Sequence, residues 1–351
     1  MTTTYPTTTA STATGGNVRI RLTHNESPFP PTPRVRAALE HTAAGAHRYP
    51  TVSDEDDLIK SLARHHEVPD DGILLGAGAA GLLQLLAQTC ASPGAQIVAP
   101  WRAWEAYPDI ATSAGARFVP VPLTYDEVDL DAVADAITER TAMVWLTHPH
   151  NPTGQALTRS AWERFLQRVP AGVMVVLDEA YYEFLDASER ARAADGIATV
   201  RDLSVTTRLV VLRTFSKAYG LAGLRVGYAI TSPTIARELR HRQLPFTVST
   251  AGIQAALATM RDTAAREAQL CEIRSERNRL ARELGALGYP VRPSSANMLW
   301  LPLRSAAEQF TLGLRQHGII VRCWSGDGVR ISVGTRSDHD ALLAAARVLP
   351  R

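Results

Sequence analysis

Residues 213–228 read "RTFSKAYGLAGLRVGY". The run begins on the polar end of an apolar stretch, "RLVVLRTFSK", and ends by entering another, "LRVGYAIT". Between them stands Lys217, one of only two lysines in a chain whose Lys+Arg total is 37; the other is Lys60. A lysine at an apolar strand-to-helix junction is costly unless its amine is neutralised, paired or made covalent. Lys60 has no such setting: "SDEDDLIKSLARHHE" places it opposite Leu58, Ile59 and Leu62 on a helix opened by acidic residues, so it reads as a solvated face.

Working outward, short β-rich runs recur with helical segments between them: "QIVAP", "RFVPVPL", "AMVWLTHP" and "GVMVVLDEA", besides the two already quoted. Near-continuous Val, Leu and Ile bounded by turn residues suit strands buried on both faces, as in a mostly parallel sheet covered by helices. The fold class is therefore α/β, with a large domain over 45–238. In such sheets ligands gather beyond the carboxyl ends of the strands. From 239 to 351 the texture changes to a smaller α+β domain. There Leu270, Ile273, Leu280 and Leu284 recur near helical spacing until Gly285 and Gly288, and the strand-like runs "ANMLWLPL" and "GVRISVGT" follow. Residues 17–44 contain the proline-rich "VRIRLTHNESPFPPTP", too broken for a helix, expected to lie across the boundary between the domains.

Composition excludes several classes of function. A net charge of +2, scattered arginines and 6% aromatics leave no basic stripe or stacking platform for nucleic acid. Three widely spaced cysteines, Cys90, Cys271 and Cys323, support neither a disulfide framework nor a zinc site, and no metal is expected. Residues 1–16, rich in Thr and Ser, read as a disordered leader without the features of a signal peptide or membrane anchor. A cytoplasmic setting is the expectation.

The neighbours of Lys217 suggest what its amine does. Thr214, Ser216 and Arg225 are suited to hold a phosphate dianion by charge-assisted hydrogen bonds. The second half of such a cradle is "GAGAAGLLQLL", where the N–H groups of Ala79 and Ala80 open a helix after two glycines. Asp178 ends the strand "VMVVL", where a buried carboxylate needs a cation such as a protonated pyridine nitrogen. Asn151 and Tyr181 can reach a phenolic oxygen, and Trp104 can stack on a flat ring. An amine that captures an aldehyde, a phosphate cradle, a pyridinium partner and phenol ligands together describe pyridoxal 5'-phosphate.

In this order, "HNESPFPP", "HRYP", "GAGAAGLLQLL", "WRAWEAYP", "HPHNPTG", "DEAYYEF", "TFSKAYGLAGLRVGY" and "GDGVRISVGT" resemble the fold-type I aminotransferases, and among them the histidinol-phosphate aminotransferase family. "WRAWEAYP" and "SGDGVRISVG" look most like its aromatic, or phenylalanine, branch. The resemblance implies a Schiff base at Lys217, which also shuttles a proton, with Asp178 on the ring nitrogen. It implies Tyr49 on the phosphate of a neighbouring subunit, hence a homodimer, and Arg330 on the substrate carboxylate. Arg322 falls where histidinol-phosphate enzymes bind the substrate phosphate, and His24 and Asn25 are counted among the substrate-binding residues. The activity expected is ping-pong transfer of an amino group from an aromatic or imidazole-type donor to a 2-oxo acid such as 2-oxoglutarate. The sequence departs from the pattern at Ala79, Ala80 and Gly81, and at His148 and His150, where asparagines are usual. These histidines keep open a related reaction of the same cofactor: decarboxylation, β-elimination or oxidation.

Overall fold

The computed structural model describes residues 19–202 and 207–349. The leader expected at 1–16 lies outside the described residues. Each of the six apolar runs forms a strand, and they join a seventh in one sheet. In chain order these are β2 (Ile73–Ala77), β3 (Gln96–Trp101), β4 (Arg117–Pro122), β5 (Thr141–Thr147), β6 (Met174–Asp178), β7 (Arg208–Thr214) and β8 (Val226–Thr231). Their spatial order is β2-β8-β7-β6-β5-β3-β4. Pairing is parallel throughout except for β8, which runs antiparallel to both β2 and β7.

The alternation of side chains sends Val175, Leu177, Val144 and Val211 into one hydrophobic cluster and Met174, Val176, Trp145 and Val210 into another, on the opposite face. Both faces are covered, which is why these strands show no polar alternation. Each fully buried Val or Leu contributes about 1.5–3 kcal/mol, so the sheet is a rigid base for whatever its edge carries.

That edge is set by strand direction. β2, β5, β6 and β7 end on the same side, at Ala77, Thr147, Asp178 and Thr214, and the reversed β8 begins there, directly after Arg225. Thr214 pairs with Gly227, and Gly227 with Gly76. The segment 215–225, with Lys217 in it, is thereby a loop closed at its base.

A second sheet has the order β1-β10-β11-β9, from β1 (Ile20–Leu22), β9 (Met298–Leu301), β10 (Ile319–Trp324) and β11 (Gly328–Ser332). The helix Thr263–Ala286 buries Leu270, Ile273, Leu280 and Leu284. It runs through Gly285, against the sequence expectation, and turns only at Gly288, whose φ of 88° suits glycine. The proline-rich N-terminal stretch begins in this sheet, with β1 parallel to β10, and then enters a helix at Pro33. Lys60 is exposed on the helix Val52–His66, whose first turn is closed by a Thr51–Asp54 capping box. Among the described residues no helix is long and apolar enough to cross a membrane, and no cluster of potential metal ligands is present.

Candidate active site

A cavity of about 140 Å³ opens at the carboxyl edge of the large sheet. Ten residues singled out from the sequence line it: Ala79, Ala80, Trp104, Asn151, Asp178, Tyr181, Thr214, Ser216, Lys217 and Arg225. Thr147 and Ala180 complete the wall. Two roomier clefts, of about 390 Å³ near Arg266 and 310 Å³ near Arg292, have no lysine in their walls. Chemistry rather than volume selects the smaller one.

On its floor Asp178 is buried, with Oδ1 accepting from the Ala180 N–H at 3.1 Å and Oδ2 reached by the Tyr107 hydroxyl at 3.5 Å. Burial raises its carboxyl to about 6, against the pull of those donors and of Lys217. A buried carboxylate so short of close donors suits a cationic N–H. Tyr107 is itself held by Thr147 at 2.8 Å. Neither Tyr107 nor Thr147 was singled out from the sequence, although Tyr107 lies in "WRAWEAYP" and Thr147 is the polar end of an apolar strand.

One flank is built for an anion. The helix Gly78–Cys90 starts without a side-chain cap, so its first N–H groups, at Ala79 and Ala80, have no side chain on them. Gly78 has φ +70°, and a Cβ on it would lie 2.5 Å from Arg225 Nη2. Arg225, itself left-handed at φ 53°, donates from Nη1 to Ser216 Oγ at 3.0 Å and to the Ala222 carbonyl at 2.9 Å. The Ser216 N–H donates to Thr214 Oγ1 at 3.1 Å. Two hydroxyls, a guanidinium and an uncapped helix entrance thus converge, which fits a phosphate dianion.

Lys217 is half-buried and donates from Nζ to the His24 carbonyl at 2.7 Å. Burial first, then the positive charges of Arg330 and Arg225, brings its amine down to about 8, with Glu26 and Asp178 opposing. The continuation of β1 meets two residues of the cavity, Lys217 and Tyr181, here. Asn25, left-handed at φ 52° and buried, donates from Nδ2 to the Tyr181 hydroxyl at 3.0 Å. Ser332 and Asn297 anchor it: its N–H donates to Ser332 Oγ at 2.8 Å, and its carbonyl accepts from Asn297 Nδ2 at 3.0 Å. These two anchors went unnoticed in the sequence because their role exists only through contacts across the molecule. Arg330 is buried, donating from Nη1 to Asn151 Oδ1 and from Nη2 to the Thr23 carbonyl. Among the described residues its buried Nε has no partner.

Four residues stand apart from this cluster. Tyr49 is 76% exposed and stacks on Phe246 with ring centroids 4.7 Å apart. Arg322 donates from Nε to Glu105 at 2.7 Å. His148 is buried under the sheet edge: Nδ1 accepts from the Leu157 N–H and Nε2 faces the Ala194 carbonyl, both at 3.1 Å. Accepting at Nδ1 and donating at Nε2 fixes one neutral tautomer, and burial holds the ring near 3. His150, also buried and lowered to about 3 by burial, contacts Thr153 Oγ1 at 2.9 Å. Only His24 of the three unusual histidines is exposed, and it meets Lys217 through its backbone.

Residues 18–346 match the family model for aminotransferase class I and II. The chain belongs to that family. As an aminotransferase it is 41% identical over 334 residues to the aromatic amino acid aminotransferase of Cutibacterium acnes, covering 95% of this chain and 93% of that one. It is 42% identical over 332 residues to the enzyme of the same name from Streptomyces coelicolor, covering 94% and 90%. Among solved structures, histidinol-phosphate aminotransferase from Sinorhizobium meliloti in complex with pyridoxal-5'-phosphate superposes with a TM-score of 0.87 at 29% identity, over 94% of this aminotransferase and 90% of that chain. The family and fold expected from the sequence are thereby borne out.

Proposed function

We propose that this aminotransferase binds pyridoxal 5'-phosphate and moves an amino group from an aromatic amino acid to a 2-oxo acid such as 2-oxoglutarate in a ping-pong cycle. The observation that carries the reading is one cavity holding three things together: an amine lowered to about 8, a buried carboxylate and a built anion cradle. The aromatic relatives support the donor class.

In this reading Thr214, Ser216, Arg225 and the Ala79 and Ala80 N–H groups hold the phosphate. Asp178 holds the ring nitrogen, Asn151 and Tyr181 face the phenolic oxygen, and Trp104 lies against the ring. When bound, the cofactor supplies an aldehyde to capture the amine and a ring that withdraws electrons from the α-carbon. Lys217 would carry the proton between the substrate α-carbon and the cofactor, for which an amine near neutrality is better matched than one at 10.5. Arg330 takes the α-carboxylate, with its Nε and the second N–H of each Nη free of the bonds to Asn151 and Thr23. Asn25 and His24 form the substrate-side wall. The reading of decarboxylation, β-elimination or oxidation rested on the histidines, and His148 and His150 in neutral, buried positions give it no support.

A homodimer with shared sites is part of the same proposal. Tyr49, Val52, Leu244 and Phe246 are large apolar side chains left exposed, and the Tyr49–Phe246 stack suits burial by a second copy, with Tyr49 reaching that copy's phosphate.

The test is to mix the pyridoxal-loaded enzyme with single donors, phenylalanine, tyrosine, histidine and histidinol phosphate, with no oxo acid present. Conversion of the cofactor to its amine form with one equivalent of 2-oxo acid, fastest for phenylalanine or tyrosine, is expected. Many turnovers releasing carbon dioxide or consuming oxygen would sink the proposal. Lys217→Ala should lower turnover by at least about 10²–10⁴-fold in a folded protein.

A further inference from the structure

The cleft of about 390 Å³ near Arg266 takes no part in the proposed chemistry, yet it is built on the same elements as the cavity. Thr214 and Tyr181 line the cavity, while their chain neighbours Arg213 and Tyr182 line the cleft, and no residue lines both. Successive residues of a strand point to opposite faces, which is how β7 serves one with Thr214 and the other with Arg213. The helix Thr263–Ala286 closes the cleft with Arg266 and Leu270.

Most charges of its wall are already paired. Arg201 meets Glu67 at 3.0 Å, Arg213 meets Glu183 at 2.9 Å, and Glu267 is taken by Arg274. Arg190 and Arg266 are the exceptions, for among the described residues neither has a carboxylate within ion-pair distance. Arg190 donates from Nη2 to the Glu183 carbonyl at 3.0 Å and lies 5.9 Å from the Tyr182 ring, and Arg266 lies 5.0 Å from the Tyr219 ring. Burial and the Glu183 charge push the Tyr219 phenol up to about 12, and Arg266, Arg213 and Arg190 all pull against them, so the guanidiniums bear on one point. The opposite need stands beside them. Glu183 is buried, and among the described residues its Oε2 has no partner. A buried carboxylate oxygen without a donor is costly, and an N–H brought to it would remove that cost.

We propose that this cleft is a second ligand site, which takes a free α-amino acid with an apolar side chain: its carboxylate goes to Arg190 and Arg266, and its ammonium toward Glu183. The rings of Tyr182 and Tyr219, with Ile197 and Leu270, supply the apolar contact. A simple anion would satisfy the two guanidiniums but bring like charge to Glu183, and a simple amine would leave the guanidiniums unpaired. A zwitterion meets both needs at once. The volume lies within the roughly 300–1,000 Å³ common to small-molecule sites. The inference goes beyond the aminotransferase reading and does not depend on which donor the enzyme converts.

The experiment is calorimetric titration of L-phenylalanine into the pyridoxal-loaded enzyme after borohydride reduction, so that the cofactor can no longer react with a donor. Saturable binding is expected, and Arg190→Gln and Arg266→Gln should each weaken it by at least about tenfold. The same two variants, left unreduced, should convert L-phenylalanine in single turnovers within about twofold of the parent, since neither arginine lines the cavity. 3-Phenylpropanoate and 2-phenylethylamine, each lacking one of the two charges, should bind at least about tenfold more weakly than L-phenylalanine. Binding that is absent in the parent, or unchanged in both variants, overturns the proposal, the second outcome placing the ligand in the catalytic cavity. Equal binding of 3-phenylpropanoate also overturns it, leaving a site for anions only. None of these outcomes touches the aminotransferase reading, which fails only if the unreduced parent does not convert its donors.

Discussion

Asp178 is held under opposing demands. Burial lifts its carboxyl from 3.8 to about 6, so in cofactor-free protein the folded state binds that proton more tightly than the unfolded chain does. The buried charge therefore costs stability in full above about pH 6, and the cost fades as the pH falls from 6 to 3.8. Asp178→Asn is expected to stabilise the cofactor-free protein at pH 7 by on the order of 3 kcal/mol, with the gain shrinking toward zero near pH 4. Urea unfolding at the two pH values checks this. The same variant should lose turnover by about 10²–10⁴-fold, since a neutral amide cannot match a ring cation. His148 carries the reverse expectation. Its two hydrogen bonds join Leu157 to Ala194, so His148→Ala should cost about 2–4 kcal/mol by leaving a buried N–H and a buried carbonyl unpaired. With its ring held near 3, it should leave the shape of the pH–rate profile between 6 and 8 unchanged.

At the scale of elements, β6 and β7 are joined beyond their apolar runs by a buried ion cluster. Arg213 donates to Glu179 at 2.8 Å from Nε and to Glu183 at 2.9 Å from Nη1, with its guanidinium 4.0 Å above the Tyr182 ring. Burial first, then the negative charge of Asp195, pushes Glu179 to about 7 even with Arg213 against it. Arg213→Met should therefore destabilise the protein by about 3–5 kcal/mol, measurable by chemical unfolding, because it strands a buried carboxylate. Little of this was legible beforehand. Val175 and Val176, buried on opposite faces, announce a strand covered on both sides, but hydrophobic runs carry no direction, so the reversal of β8 was not visible. β2 was hidden because "ILLGA" is short and merges into the glycine turn that follows it. β10, "IIVRCW", carries an arginine that breaks its apolar pattern; that Arg322 is satisfied by Glu105 can be seen only in three dimensions. The residues of the anion flank were legible for the opposite reason. Thr214, Ser216, Lys217 and Arg225 sit within one short loop, where spacing along the chain is nearly spacing in space.

On the scale of the whole molecule, the exposed Tyr49–Phe246 stack makes assembly a measurable quantity. In the proposed homodimer, Phe246→Asp should shift the assembly toward monomer by light scattering and should lower cofactor affinity, because each site would lose the tyrosine of its neighbour. A different consequence follows from the contacts of His24 and Asn25 with Lys217 and Tyr181. Asn25 is fastened to Ser332, 307 positions away along the chain, and β1 to β10. On a ribosome these early residues emerge long before the strands that receive them exist. The loop around Lys217 can close with the large sheet, but the segment that meets Lys217 and Tyr181 has to wait for β11, the last of the strands described, to be made. Seating of the N-terminal segment is therefore a late event in the life of each new chain, and a chain stopped short of residue 332 would hold its lysine loop without the clasp over it.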